Sequence, residues 1–198
     1  ARGYGNPYGV INALQPFVLS GASSPEVLRL LAEAFIRTDQ TRRAVSAIVQ
    51  YLRLRPKDPA MTLQLAKEYL KLRDWGKAFE IARMAEPQDP TDIVLKMLRI
   101  EASVNVSAEN PEDKTPNLQA LANELAQLRT KHPDRVDIRI LQAIIAVNLE
   151  DPNTAEKELK LAIEECAEPL RAEIQLVRFY RRQKRMDEAI SACRDACD

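Results

Sequence analysis

The sequence predicts an all-α protein, an α-solenoid in which about eleven helices pair into successive helix–turn–helix units. Three observations predict it. Similar residues return every 34 positions, apolar residues within each period recur at three- and four-residue steps, and prolines stand at period ends. Composition agrees. Of 198 residues 45% are hydrophobic, enough to bury a core, while 5 glycines are too few for a chain of many tight β-turns.

The period is read from pairs. Leu31 and Leu65, Phe35 and Tyr69, Ala44 and Ala78, Pro56 and Pro90, and Ala155 and Ala189 are each 34 residues apart. Leu65 to Leu176 and Tyr69 to Tyr180 span 111 residues, three periods and nine. Ala66 to Ala143 and Ala78 to Ala155 span 77, two periods and nine. One nine-residue insertion reconciles them all. It falls between Pro90 and Pro133, where the segment from Ser107 to Pro116 holds two prolines among polar residues and predicts a loop.

The elements follow in order. In residues 1–24, Val10, Ile11, Leu14, Phe17, Val18 and Leu19 mark one helix over Tyr8 to Ser20, the second half of an incomplete preceding unit. Residues 25–58 form the first full unit. Val27, Leu28, Leu31, Ala34 and Phe35 give one apolar face, Asp39-Gln40-Thr41 a polar break, and Ala44, Ala47, Ile48, Tyr51 and Leu52 a second face. Arg55-Pro56 stops it, because proline lacks a backbone donor and biases its predecessor away from helix. Residues 59–92 repeat the scheme with Leu63, Leu65, Ala66, Tyr69 and Leu70, a break at Arg73-Asp74, then Trp75, Ala78, Ile81, Ala82 and Ala85. Pro87 is expected to end that helix early. Units 93–135, with the insertion near 107–116, 136–169 and 170–198 complete five hairpins in one continuous domain. A single hairpin cannot bury its apolar face alone, so neighbours stack, and about three units are needed for stability.

These residues resemble the tetratricopeptide repeat family, whose 34-residue hairpin carries a large–small pair, an aromatic, two small residues and a closing proline. Leu31-Ala32, Phe35, Ala44, Ile48, Tyr51 and Pro56 fit in the first unit, and Leu65-Ala66, Tyr69, Ala78, Ala82, Ala85 and Pro90 in the second. The last unit fits with Leu176-Val177, Tyr180, Ala189, Cys193 and Ala196. The fourth departs from the pattern. Ala143, Ala146, Ala155, Leu159 and Ala162 fit, but Gln142 stands where a large apolar residue belongs and Ala167 where proline would fall. The resemblance implies a right-handed superhelical α-solenoid spanning about Pro25 to Asp198. Both ends read as cut from a longer solenoid, and the start at Ala1-Arg2 leaves cytoplasm and periplasm both open.

No catalytic constellation emerges. His132 is the only histidine, and in Lys131-His132-Pro133 it marks a helix end, where a partly charged imidazole suits the helix dipole. Cys166, Cys193 and Cys197 are too few and too clustered for a disulfide framework. Cys193 and Cys197 share a helix face as metal ligands do, yet Cys193 occupies a packing position, so no metal site is expected. No glycine-rich phosphate loop exists, and no cofactor is predicted. The segment contains no apolar run long enough for membrane insertion. Equal numbers of Lys+Arg and Asp+Glu, 29 each, lack the electrostatic footprint of a nucleic-acid binder.

Charge is unevenly placed. Val136 to Leu170 holds three basic and eight acidic residues, among them Glu156, Glu158, Glu164, Glu165 and Glu168; Arg171 to Asp198 holds seven basic and five acidic. A solvated acidic helix beside a cation-ended one explains this plainly. The resemblance implies, in addition, a concave groove lined by the first helix of each unit. Its offsets select Arg29, Glu33, Ile36 and Arg37, then Leu63, Lys67, Leu70 and Lys71. Further along they select Ile140, Ile144 and Val147, and finally Ile174, Arg178, Arg181 and Arg182. Such a groove suits a protein or peptide partner with apolar anchors and acidic groups. Glu33 occupies a position where the family's carboxylate clamp needs Asn, so that specificity is not expected. The expected function is a non-catalytic protein–protein interaction scaffold; an RNA-binding helical repeat and a substrate-docking module of a larger enzyme stay open as alternatives. Whether the loop near 107–116 gates the groove, and the oligomeric state, are left undecided by the residues.

Overall fold

A computed structural model describes residues 6–19, 24–109, 117–166 and 169–196. Among them are eleven α-helices, one 3-10 turn and no strand. The helices are α1 (Pro7–Leu19), α2 (Pro25–Arg37), α3 (Thr41–Leu54), α4 (Pro59–Lys71), α5 (Trp75–Ala85) and α6 (Ile93–Glu109). They continue with α7 (Leu118–Lys131), α8 (Val136–Asn148), α9 (Pro152–Glu165), α10 (Leu170–Arg182) and α11 (Met186–Asp195). Two compact units divide the chain, Ala1–Val106 and Ser107–Asp198.

In the first unit, the side chain of Ser24 accepts the Val27 N–H at 3.3 Å to open α2, and Asp58 accepts the Met61 N–H at 3.0 Å to open α4. Pro25 and Pro59 follow these caps, where the missing N–H costs nothing. Asp58 also accepts the Tyr51 hydroxyl at 2.6 Å, tying the end of α3 to the start of α4. That bond holds the Asp58 carboxyl below the usual range. Leu28, Leu31, Phe35, Ile48 and Tyr51 form one core with Ile11 of α1 and Leu65 of α4. Ala66, Ala82 and Leu98 form a second, across α4, α5 and α6. Helix α5 ends at Ala85, and Glu86–Gln88 makes the 3-10 turn around Pro87. The expected loop begins later than its composition suggests. Helix α6 carries Ser107, Ala108 and Glu109, since no helix breaker precedes Pro111; residues 110–116 lie outside the described ones.

Four intra-hairpin turns among the described residues repeat one backbone device. Asp39, Arg73, Glu150 and Lys184 have φ of 54°, 58°, 59° and 60°, the left-handed region. In each case that residue's N–H bonds three residues back and the next N–H bonds five back. The pairs are Asp39 to Ile36 with Gln40 to Phe35, and Arg73 to Leu70 with Asp74 to Tyr69. Glu150 to Val147 with Asp151 to Ala146, and Lys184 to Arg181 with Arg185 to Tyr180, match them. This is the Schellman closure, which satisfies the last carbonyls of the first helix and reverses the chain. None of the four is glycine. The alanines expected at the hairpin crossings, Ala44, Ala78, Ala155 and Ala189, are 3% exposed or less.

In the second unit, His132 ends α7, its N–H bonding Leu128. The fourth repeat adds a cluster of ions to its apolar packing. Arg139 of α8, 8% exposed, donates from Nη1 to Glu158 at 2.9 Å and from Nε and Nη2 to Glu165 at 2.5 Å. Arg129 of α7 donates to Glu158 at 3.0 Å and to the Gln142 side chain at 3.2 Å. The irregular Gln142 is therefore part of a polar cluster joining α7, α8 and α9. Beside it, Glu156 of α9 accepts Arg185 at 2.5 Å, Lys160 at 2.8 Å and the Tyr180 hydroxyl at 3.0 Å. Arg185 above all, then Lys160 and Tyr180, lower its carboxyl to about 2 against burial. A solvated acidic helix is thus the wrong description of α9: Glu156 and Glu158 are largely covered and paired, whereas Glu164 is exposed. Cys193 is a second correction. Its equivalents Ile48, Ala82 and Leu159 are at most 2% exposed, while Cys193 is exposed, because no described helix follows α11 to cover it.

Candidate functional site

The second unit gathers four of the groove residues selected from sequence. Between α8 and α10 lies an open cavity of about 120 Å³. Ala143, Ile144 and Val147 line it from α8, Leu159 from α9, and Gln175, Arg178, Phe179 and Arg182 from α10. Helix periodicity sets this grouping. Residues 175, 178, 179 and 182 stand at i, i+3, i+4 and i+7, one stripe of α10, and 143, 144 and 147 stand at i, i+1 and i+4 on α8. Phe179 is anchored in the core with Leu176 and Tyr180, so the wall of the cavity is rigid.

Its chemistry is divided between floor and rim. The floor is apolar. Arg178 and Arg182 are exposed at the rim, with Arg181 and Lys184 nearby in sequence, and none of the four has an ion-pair partner among the described residues. Of the α9 carboxylates, Glu156, Glu158 and Glu165 are paired instead with Arg185, Lys160, Arg129 and Arg139. Cations in the last turn of α10 also suit the helix dipole.

Other selected residues lie elsewhere. Ile140 is 3% exposed and packs on Ala162 and Ala172, so it faces the core and is not available to a partner. Ile174 is 42% exposed on α10 but does not line the cavity. In the first unit, Arg29 donates to Glu33 at 3.0 Å, and Lys71 donates to the fully buried Glu68 at 2.9 Å. Glu33 and Arg37 line a crevice of about 30 Å³ with Val10 of α1. Ile36 packs on the first core, Leu63 and Leu70 on the second, and Lys67 is half-buried. Reasoning from offsets missed Gln175 and Phe179, although their spacing from Arg178 and Arg182 would have found them.

Among the described residues no group of three or more His, Cys, Asp or Glu could hold a metal ion. No described helix is long and apolar enough to cross a membrane.

Comparison with known proteins places the fold. The tetratricopeptide repeat family profile matches residues 13–93. No curated protein matches the chain by sequence. Among solved structures, a thermophilic tetratricopeptide-repeat protein of Thermus thermophilus superposes with a TM-score of 0.72 at 20% identity, over 87% of this chain and 90% of that one. A tetratricopeptide repeat protein from Parabacteroides merdae gives 0.68 at 14% identity, covering 96% and 78%. MamA from Desulfovibrio magneticus gives 0.62 at 12% identity, covering 87% and 93%. At these identities the likeness is one of fold.

Proposed function

We propose that this chain, which matches the tetratricopeptide repeat family over residues 13–93 and shares the fold of solved tetratricopeptide-repeat proteins, is, like that family of protein–protein interaction scaffolds in general, non-catalytic and holds a protein or peptide partner against the first helices of its repeats. The α8–α10 cavity carries this reading. An apolar recess with uncompensated cations at its rim supplies an anchor and long-range attraction together, the combination that gives an interface affinity and a fast encounter. The packing residues Ala143, Leu159 and Phe179 form part of the recess, and the repeat also sets the spacing of α8 and α10.

Affinity capture on the immobilised chain, with mass spectrometry of retained proteins, tests the proposal when run beside Arg178→Ala/Arg181→Ala/Arg182→Ala. The three side chains are exposed, so the variant is expected to melt with the wild type and lose the retained partner. Equal retention by both proteins would place binding elsewhere.

A further inference from the structure

Resting on that reading, we infer that the α8–α10 cavity recognises an internal, extended peptide segment in which an aliphatic residue is followed two positions later by Asp or Glu.

Size selects the anchor. The cavity measures about 120 Å³. An apolar cavity of about 150 Å³ accommodates benzene, so this one is filled by a branched aliphatic side chain. Ile144 and Val147 offer the floor only carbon, so a polar side chain placed there would lose its hydrogen bonds to water. Spacing selects the second element. Arg178 and Arg182 are one turn apart on α10, about 6 Å along its axis. In an extended strand, side chains two residues apart point the same way and lie roughly 6.6 Å apart. Because Arg178 and Arg182 line the cavity themselves, the next peptide side chain on the anchor's side, two positions on, is the one placed to meet a rim guanidinium while the anchor stays seated. Charge selects acid over amide. Neither arginine has an ion-pair partner among the described residues, no acidic side chain lines the cavity, and Arg181 and Lys184 add to the same field.

A nucleic acid would satisfy the cations but not the recess. Base recognition on single strands uses exposed aromatic faces, and the one aromatic here, Phe179, is 3% exposed and engaged in the core. Nor does the site call for a free C-terminus, since both rim groups can be met by side-chain carboxylates.

Fluorescence anisotropy with three synthetic peptide pools tests this. All carry blocked ends and degenerate flanks, with Leu-x-Glu, Ala-x-Glu or Leu-x-Gln fixed at the centre. The Leu-x-Glu pool is expected to bind the full chain about tenfold more tightly than either control, a difference of about 1.4 kcal/mol. Arg178→Ala/Arg182→Ala should bring it down to the level of the Leu-x-Gln pool with an unchanged melting temperature. Equal binding of the three pools, a preference that survives the double variant, or displacement of the Leu-x-Glu pool by oligouridylate would each overturn the inference. The broader reading fails separately. If no pool binds but proteins captured by the wild type are lost from the triple-alanine variant, the groove stands and the motif falls. Should the captured proteins persist as well, both fall.

Discussion

Arg73→Gly and Glu150→Gly should each make the protein more stable, against the ordinary rule that glycine weakens a helical protein. Both residues close a Schellman turn with φ of 58° and 59°. Their side chains are exposed and make no hydrogen bond or ion pair among the described residues, so removing them sacrifices no contact. A Cβ in the left-handed region costs about 1–2 kcal/mol, and glycine gives back about 0.5–1 kcal/mol through its freer unfolded chain. The net gain is about 0.5–1 kcal/mol per site, or roughly 1–4 °C in melting temperature for a chain of this size. Far-UV circular dichroism melts of each variant measure it, with Arg73→Ala and Glu150→Ala as controls. Alanine keeps the Cβ and should gain nothing. Asp39→Gly and Lys184→Gly belong to the same class, and because the four side chains share no partner their effects should add to about 2–4 kcal/mol. Native-state hydrogen exchange would localise each gain to its own hairpin, as stacked repeats need not unfold in one step. If glycine and alanine variants melt alike, or the glycine variants melt lower, the turns are not held in the conformation described.

Three further outcomes rest on other parts of the fold. Ala78→Leu should cost about 1–3 kcal/mol in urea unfolding, because Ala78 is 1% exposed where α4 and α5 meet and extra methylenes have no space. Arg139→Ala should cost roughly 2–4 kcal/mol by the same assay, since it leaves Glu158 covered with only Arg129 beside it; a cost below about 1 kcal/mol would mean that the cluster is effectively solvated. Glu156→Gln should destabilise by about 1–2 kcal/mol at pH 7, discounted for partial exposure. The Glu156 carboxyl is depressed when folded, so its contribution is full above its ordinary value of 4.5 and disappears as pH falls toward about 2. Wild type and variant should therefore converge near pH 2 in chemical melts, and a gap that persists there would refute the linkage.

The fold was legible because its signal is redundant. Each of Ala44, Ala78 and Ala155 states the same packing requirement; Ala44 to Ala78 gives the period directly, and the intervals to Ala155 give it once the nine-residue insertion is subtracted. Helix ends were legible where a proline enforces them, as at Pro56 and Pro87, and less so at Ser107, where polar composition suggested loop but nothing prevented helix. The turns hid their geometry. A left-handed residue announces itself as glycine or asparagine, and here the chain uses Asp, Arg, Glu and Lys, so the 34-residue spacing of these positions carries the information and their identities do not. The site was only partly legible for a related reason. Offsets name which turn of a helix faces the groove, yet Ile140 and Ile144 lie one turn apart on the same helix, and only packing against Ala162 and Ala172 buries the first.

The fourth repeat joins these two threads. Its departure from the pattern at Gln142 reads as drift in the sequence alone, but in the structure Gln142 meets Arg129, and the same cluster occupies Glu158 and Glu165 with Arg139. Those carboxylates are then unavailable to the arginines of α10. Without Arg139, Glu158 would keep only Arg129 and Glu165 would lose its ion pair, so that the acidic excess of this stretch would weaken the field of Arg178 and Arg182 on any anionic partner. The irregular repeat thus leaves its neighbour's cations free, and a site appears where local ion pairing is satisfied on one helix and withheld on the next. Exchanging Arg139 for Leu tests this coupling: it should weaken binding of the Leu-x-Glu pool while leaving the apolar contribution, measured as the ratio of Leu-x-Gln to Ala-x-Gln binding, unchanged. A loss of both together would mean that the substitution disturbs the packing of α8, and that the ion cluster serves stability alone.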